Sequence, residues 1–154
     1  MQKQKGFTLL EILLVIALIA ILAGIIIVAI NPAKQTAEAR NAQRRSDVNA
    51  ILSAVYQYSL DNSGSFLNVD DVPGTSQVIG TAGAGCSGIC GSVTTTVSCV
   101  DLSSLAPSYL VTIPFDPQDA SGSITKYYIN KDVGNRITVG ACEPENGATI
   151  SISK

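Results

Sequence analysis

The sequence predicts an α+β fold: a long N-terminal α-helix, its first half suited to a membrane, packed through its second half on a small antiparallel β-sheet. Three observations carry this. Residues 12–30 read ILLVIALIAILAGIIIVAI, 19 residues without a charge. Residues 33–60 repeat apolar side chains at three- and four-residue steps. Residues 124–153 run as short β-rich segments between turn residues. Charged residues make up only 14% of the 154-residue chain, but setting the apolar block aside leaves an ordinary polar domain of modest size.

Charge is as uneven as hydropathy. Residues 1–30 sum to +1 and residues 31–60 to +2, whereas residues 61–154 sum to −5, within a total of −2. A net-acidic chain has no general attraction to nucleic acid, which is not expected as a partner. With no histidine, Ser-His-Asp hydrolysis, Cys-His proteolysis and His-ligated zinc all lack their central residue. No paired carboxylates, phosphate-binding loop or activated nucleophile is recognisable, so no enzyme activity is expected. Gly83-Ala84-Gly85 lacks the strand–glycine–helix context of a dinucleotide site.

At about 1.5 Å per residue, the uncharged block makes roughly 28 Å of helix, enough to cross a hydrocarbon core. A core helix of a water-soluble domain would show a polar stripe, which this block lacks. A secretory signal peptide would have a shorter apolar stretch ending in a small-residue cleavage site. A retained membrane helix is therefore expected. Its entrance is unusual. Lys3-Gln4-Lys5-Gly6-Phe7-Thr8-Leu9-Leu10-Glu11 places a basic leader, a glycine, an aromatic and then a lone carboxylate at the lip of the apolar sequence. A charge at such depth costs a few kcal/mol, less near a helix end. No cation within residues 7–31 can pair with Glu11, so its partner must come from elsewhere.

The run KGFTLLEILLVIALIAILAG resembles the N-terminus of type IV pilins and of the pseudopilins of type II secretion and competence systems. The resemblance implies a leader peptide at residues 1–6, cut between Gly6 and Phe7 by prepilin peptidase, a membrane aspartyl protease that then N-methylates the new amine of Phe7. It implies that residues 7–31 are a transmembrane and assembly helix. Glu11 would be the assembly carboxylate, pairing with the N-terminal amine of a neighbouring subunit. The function so implied is that of a structural subunit of a type IV pilus or pseudopilus, polymerised through its apolar helix. Its partners would be identical or related subunits, prepilin peptidase, the inner-membrane assembly machinery, and membrane lipid before assembly. It would cross the inner membrane once, with an extracytoplasmic C-terminal domain, before joining a cell-surface or periplasmic filament.

These residues do not separate pilus from secretion or competence pseudopilus. The alternative is a minor pilin, or an anchored extracytoplasmic protein, acting as a binding module in DNA uptake, adhesion or secretion-substrate capture. The acidic residues 61–154 count against the DNA form. One count opposes the topology: two Lys precede the span, while four Lys and Arg follow it by residue 45, so the positive-inside rule alone puts the C-terminal part in the cytoplasm. The cytoplasmic leader that processing needs, and four cysteines beyond the span, outweigh it.

Asn31-Pro32 interrupts the helical pattern, since proline lacks an N–H and disfavours helix at the residue before it. Gly24 is a second soft point. Family members often carry their proline earlier, so the resemblance does not place the bend. Residues 32–61 are expected to form an amphipathic helix continuing into the globular domain. Ala33, Ala37, Asn41, Val48, Ile51, Leu52, Val55 and Tyr56 share one face, with Gln35, Glu38, Arg45, Asn49 and Gln57 elsewhere on the wheel. Arg40, Arg44 and Arg45, without interleaved aromatics, are a weak nucleic-acid signal and are expected to meet lipid headgroups or acids of adjacent subunits.

Residues 62–154 are expected to form the extracytoplasmic loop and sheet region. Asp61-Asn62-Ser63-Gly64 ends the helix with turn chemistry. Residues 74–98, rich in Gly, Ser and Thr, read as an irregular loop with candidate strands at Gln77–Gly80 and Val93–Ser98. Residues 101–110 read as a short capped helix. Ile124–Lys131, Asn135–Cys142 and Ala148–Ser153 then suit an antiparallel meander. The stretch from Leu105 to Pro117, ahead of these strands, resembles more loosely the globular domains of pilins and major pseudopilins.

Cys86, Cys90, Cys99 and Cys142 allow three pairings. By analogy with many pilins, Cys99–Cys142 is expected to close the C-terminal domain, leaving Cys86–Cys90 as a local pair. Free thiols and a four-cysteine zinc site compete with this, the latter poorly served by the irregular spacing. No cofactor is expected. Because some pseudopilins hold Ca²⁺ in loops beside strands, Asp116, Asp119 and Asp132 are the secondary candidates, although they lack a recognisable oxygen-ligand spacing.

Overall fold

The computed structural model describes residues 6–70, 72, 74–119 and 122–154, so residues 1–5 of the expected leader lie outside the described residues. The chain divides into two compact units, Met1–Thr36 and Ala37–Lys154.

The first unit holds α1 (Leu9–Ile30), whose N-cap Thr8 has extended backbone and accepts a hydrogen bond from Glu11 N through Oγ1 at 3.2 Å. None of its 22 residues is buried. The helix stops at Asn31, which takes the left-handed conformation at φ 46°. Asparagine tolerates that region better than most residues. Pro32 then opens α2 (Pro32–Asp61), at the helix position where a missing N–H costs nothing. The break expected at Asn31-Pro32 is present, and Gly24 lies inside an uninterrupted α1.

From Ala37 onward α2 belongs to the second unit. Its buried face runs through Ala37, Asn41, Arg44, Val48, Ile51, Leu52 and Val55 to Ser59. Of the expected members Ala33 falls off it, being exposed, while Tyr56 is half-buried and packs against the core. Arg44 and Asp47 join it instead. The helix closes with Gly64 N–H donating to Ser59 O at 2.8 Å and Ser63 at φ 56°, a Schellman-type end.

Four strands follow, β1 (Gln77–Gly80), β2 (Ile124–Lys131), β3 (Ile137–Ala141) and β4 (Ser151–Ser153), in the antiparallel order β1-β2-β3-β4. The meander is the expected one. Val93–Ser98 is not a strand: it contributes only an isolated bridge from Thr95 to Ser76, while the Thr95 side chain is spent on Gly88 N and Cys86 O within the loop. The helix expected at residues 101–110 is a single 3₁₀ turn, Ser103–Leu105, whose Ser103 N donates to Asp101 Oδ1 at 2.8 Å. Pro107 cannot donate the N–H that would extend it.

Both faces of the sheet are covered. Ile79, Tyr127, Ile129, Ile137 and Val139 form the main core with Val48, Ile51, Leu52 and Val55 of α2. On the opposite face Val78 and Tyr128 pack with Cys86, Cys90 and Cys142. Side chains alternate across a strand, so the adjacent Tyr127 and Tyr128 serve opposite layers. Tyr128 lies across from Gly140 of β3, where a Cβ would come within 2.5 Å of the tyrosine ring. Glycine leaves the space that the ring fills.

Candidate assembly segment and its supporting domain

Gly6 and Phe7 precede α1 in exposed, irregular chain, with Phe7 78% exposed. A Cβ on Gly6 would meet nothing, so packing within the chain does not call for a glycine there. Glu11 stands third in the helix, where a carboxylate faces the positive end of the backbone dipole. Thr8-Leu9-Leu10-Glu11 also has the spacing of a capping box, which sequence reasoning missed and of which the Glu11 N to Thr8 Oγ1 bond is present. Glu11 is exposed, and none of the ion pairs among the described residues involves it. Helix α1 is long and apolar enough to cross a membrane by length and composition.

In the second unit, one face of α2 carries a polar clamp. The Arg44 side chain is fully buried and meets Asp116 through two bonds, Nε to Oδ2 at 2.6 Å and Nη2 to Oδ1 at 2.8 Å. It also donates to Gln118 Oε1 and Asn41 Oδ1 at 3.0 Å each, and to Glu145 Oε2 at 2.9 Å. Arg40 grips the same Glu145 from Nε at 2.7 Å. Asn41 exchanges hydrogen bonds with the Glu145 backbone, at 2.9 and 3.0 Å. One turn on, Tyr127 of β2 donates to Asp47 Oδ2 at 2.7 Å. The side chains at positions 40, 41, 44 and 47 thus fix the rotation of α2 against the sheet and against the loops around residues 116 and 145.

The protonation equilibria follow the geometry. The Asp116 hydrogen bonds hold the Arg44 guanidinium charged against the opposing effect of burial, with Glu145 adding to them. Hydrogen bonds from Arg40 and then Arg44 draw the Glu145 carboxyl down to about 2. Burial, followed by the bond to Asp47, pushes the Tyr127 phenol upward. No buried side-chain N or O among the described residues lacks a partner.

This clamp corrects the reading of the arginine cluster. Arg44 is sealed inside the domain and Arg40 is engaged by Glu145 of its own chain, leaving Arg45 as the exposed member. The clue was its spacing: Arg44 lies between Asn41 and Val48 on the buried stripe, and a charge there needs an internal carboxylate. The candidate calcium acids are likewise occupied. Asp116 serves Arg44 and accepts from Gln118 N, Asp119 lies 3.6 Å from Lys126, and Asp132 Oδ1 caps its turn by accepting from Gly134 N and Arg136 N. Among the described residues no group of three or more potential ligands is arranged for a metal.

The cysteine connectivity differs from the expected one. Cys86 is bonded to Cys99 and Cys90 to Cys142, in place of Cys99–Cys142 and Cys86–Cys90. Backbone bonds in the 82–99 loop explain the exchange. Cys86 N donates to Val97 O and Cys99 N to Ala82 O, folding the loop back so that Cys86 faces Cys99. Cys90 is then free to meet Cys142 at the end of β3, on the sheet face the loop covers.

Residues 1–27 match the family model described as the prokaryotic N-terminal methylation motif. The chain is similar to the type II secretion system core protein G of Klebsiella pneumoniae, at 40% identity over 63 residues, covering 41% of this chain and 44% of that protein. It is 42% identical over 60 residues to the protein of the same description from Escherichia coli strain K12, covering 39% and 40%. For that of Vibrio cholerae the identity is 38% over 63 residues, covering 41% and 42%. The chain thus spans less than half the length of the curated relatives it matches. No solved structure matches it. The chain thus carries the methylation motif at residues 1–27 and is similar over 60–63 residues to type II secretion system core proteins G, ahead of a domain in which a helix packs on an antiparallel meander.

Proposed function

We propose that this chain is a structural subunit of a type II secretion pseudopilus. It is made as a membrane-anchored precursor, cut by prepilin peptidase between Gly6 and Phe7, and N-methylated on Phe7. The observation that carries the reading is α1: 22 residues, none buried, with a single carboxylate at Glu11. Before assembly this surface is satisfied by lipid, with residues 37–154 on the extracytoplasmic side. Leaving lipid for helix–helix contact gains little from the hydrophobic effect, because lipid tails are as apolar as leucine. A buried carboxylate that finds an ammonium gains more, and only in one register. Pairing of Glu11 with the methylated amine of a neighbouring Phe7 would therefore set the axial register of the polymer, on the inner-membrane assembly machinery. No cofactor enters this reading, since Arg44 and Lys126 provide the cations beside Asp116 and Asp119.

Intact-mass measurement of the chain expressed with and without prepilin peptidase tests the processing. Loss of residues 1–6 with gain of one methyl group is expected, only when the peptidase is present. A chain left uncut, or cut elsewhere, contradicts the reading.

A further inference from the structure

We propose that the β2–β3 turn of one copy docks through Val133 into an apolar cavity at the far end of the sheet of a second copy. The contact rests on the filament reading above. The cavity measures about 280 Å³, and Ile79, Leu102, Ile113 and Phe115 line it, with Asp101 among the rim residues and Thr125 at the start of β2. An apolar cavity of roughly 150 Å³ already admits a benzene-sized ligand, so a valine side chain fits with room to spare. Thr125 adds no unmet polar demand, because its hydroxyl donates to Ile79 O at 2.8 Å.

The knob is at the other end of the same strand. Val133 is 82% exposed at the tip of the turn between β2 and β3. That tip is stiffened from within: Asp132 Oδ1 accepts from Gly134 N at 2.8 Å and from Arg136 N at 2.9 Å, and Asn135 takes φ 60°. A rigid, solvated valine has lost little by being ordered and gains by burial. Cavity and knob are separated by the eight residues of β2, roughly 25 Å at the usual rise per residue.

Charge selects a second copy as the occupant. Residues 61–154 hold only four basic side chains, and two of them, Lys131 and Arg136, flank Val133, which with the turn's own Asp132 makes the tip net +1. Asp101, exposed, is among the residues lining the cavity, and Asp119, three residues ahead of Gly122 on that lining, shares its charge with Lys126 at 3.6 Å, so this end is net −1. A tip of net +1 and a cavity end of net −1 on opposite ends of one strand attract head to tail. Such a contact uses different patches on the two partners and so propagates into an open polymer instead of closing a dimer.

The test uses the full chain in membranes with its secretion machinery. A photo-crosslinking p-benzoylphenylalanine replaces Val133 in one strain and Leu18 of α1 in another, and crosslinked peptides are mapped by mass spectrometry. The inference expects the probe at 133 to join residues 101–115 or 122–125 of a second copy. It also expects Val133→Glu to cut sheared filament yield at least fivefold with the thermal midpoint unchanged, and Val133→Ile to restore the yield. If the probe at Leu18 links copies but the probe at 133 links none, or links another region or another protein, the inference is overturned while the filament reading stands. If neither probe links copies, both fall.

Discussion

Arg44 offers the sharpest test of how α2 is held. Replacing it with Met keeps the aliphatic volume and removes the guanidinium from a side chain with no solvent exposure. Asp116, whose side chain is 2% exposed, would lose both guanidinium bonds and retain the hydrogen bond from Gln118 N. Breaking one partner of such a buried pair costs about 3–5 kcal/mol, out of a total stability of roughly 5–15 kcal/mol for a domain. Arg44→Met with Asp116→Leu removes both charges, and should recover more than half of that loss, because Asn41 and Arg40 still hold Glu145. The assay is urea unfolding of the full chain in detergent micelles at pH 7, followed by tyrosine near-ultraviolet circular dichroism. A cost below about 1 kcal/mol for the single variant, or a double variant as unstable as the two singles added, would refute the clamp as an energetic unit.

Three further outcomes follow from the same geometry. The Glu145 carboxyl titrates at about 2 when folded, against 4.5 normally, so its contribution is fully present above pH 4.5 and is lost as pH falls toward 2; acid titration of stability should show this slope in the wild type and lose it in Glu145→Gln. Peptide mapping without reduction should give Cys86–Cys99 and Cys90–Cys142, and replacing the second pair by serine should cost about 4 kcal/mol against about 3 for the first, from their separations of 52 and 13 residues. Gly140→Ala should destabilise by about 1–3 kcal/mol through its clash with Tyr128, and should be harmless when Tyr128 is also Ala; equal costs in both backgrounds would exclude that clash.

What could be read from the sequence was whatever local chemistry determines. The uncharged run before Asn31-Pro32 needs no tertiary contact to declare itself, and β2 follows from its own β-rich composition. The Val48, Ile51, Leu52 and Val55 stripe shows by helical spacing alone. The polar members of that stripe were harder. Arg44 defaults to the surface in any helix, and its true environment depends on Asp116 and Glu145, which are 72 and 101 residues away. The disulfides failed for the same reason: Cys86 and Cys90 are close in sequence, but the backbone bonds from Cys86 to Val97 and from Cys99 to Ala82 decide which sulfur faces which. Val93–Ser98 has strand composition, yet lost its strand to side-chain bonds within the loop. At the N-terminus, Glu11 was singled out by its cost in an apolar segment, while its helix-capping position went unnoticed.

The claim on which the account depends is that Glu11 finds its cation on another copy. The direct measurement is electron microscopy of sheared filaments, with intact mass of the membrane-bound chain, for wild type and Glu11→Ala in a strain with working assembly machinery. The account predicts that Glu11→Ala is cut after Gly6 and methylated as in wild type, remains in the membrane, and gives no filaments. Filaments of normal number and length from the cut variant would contradict it.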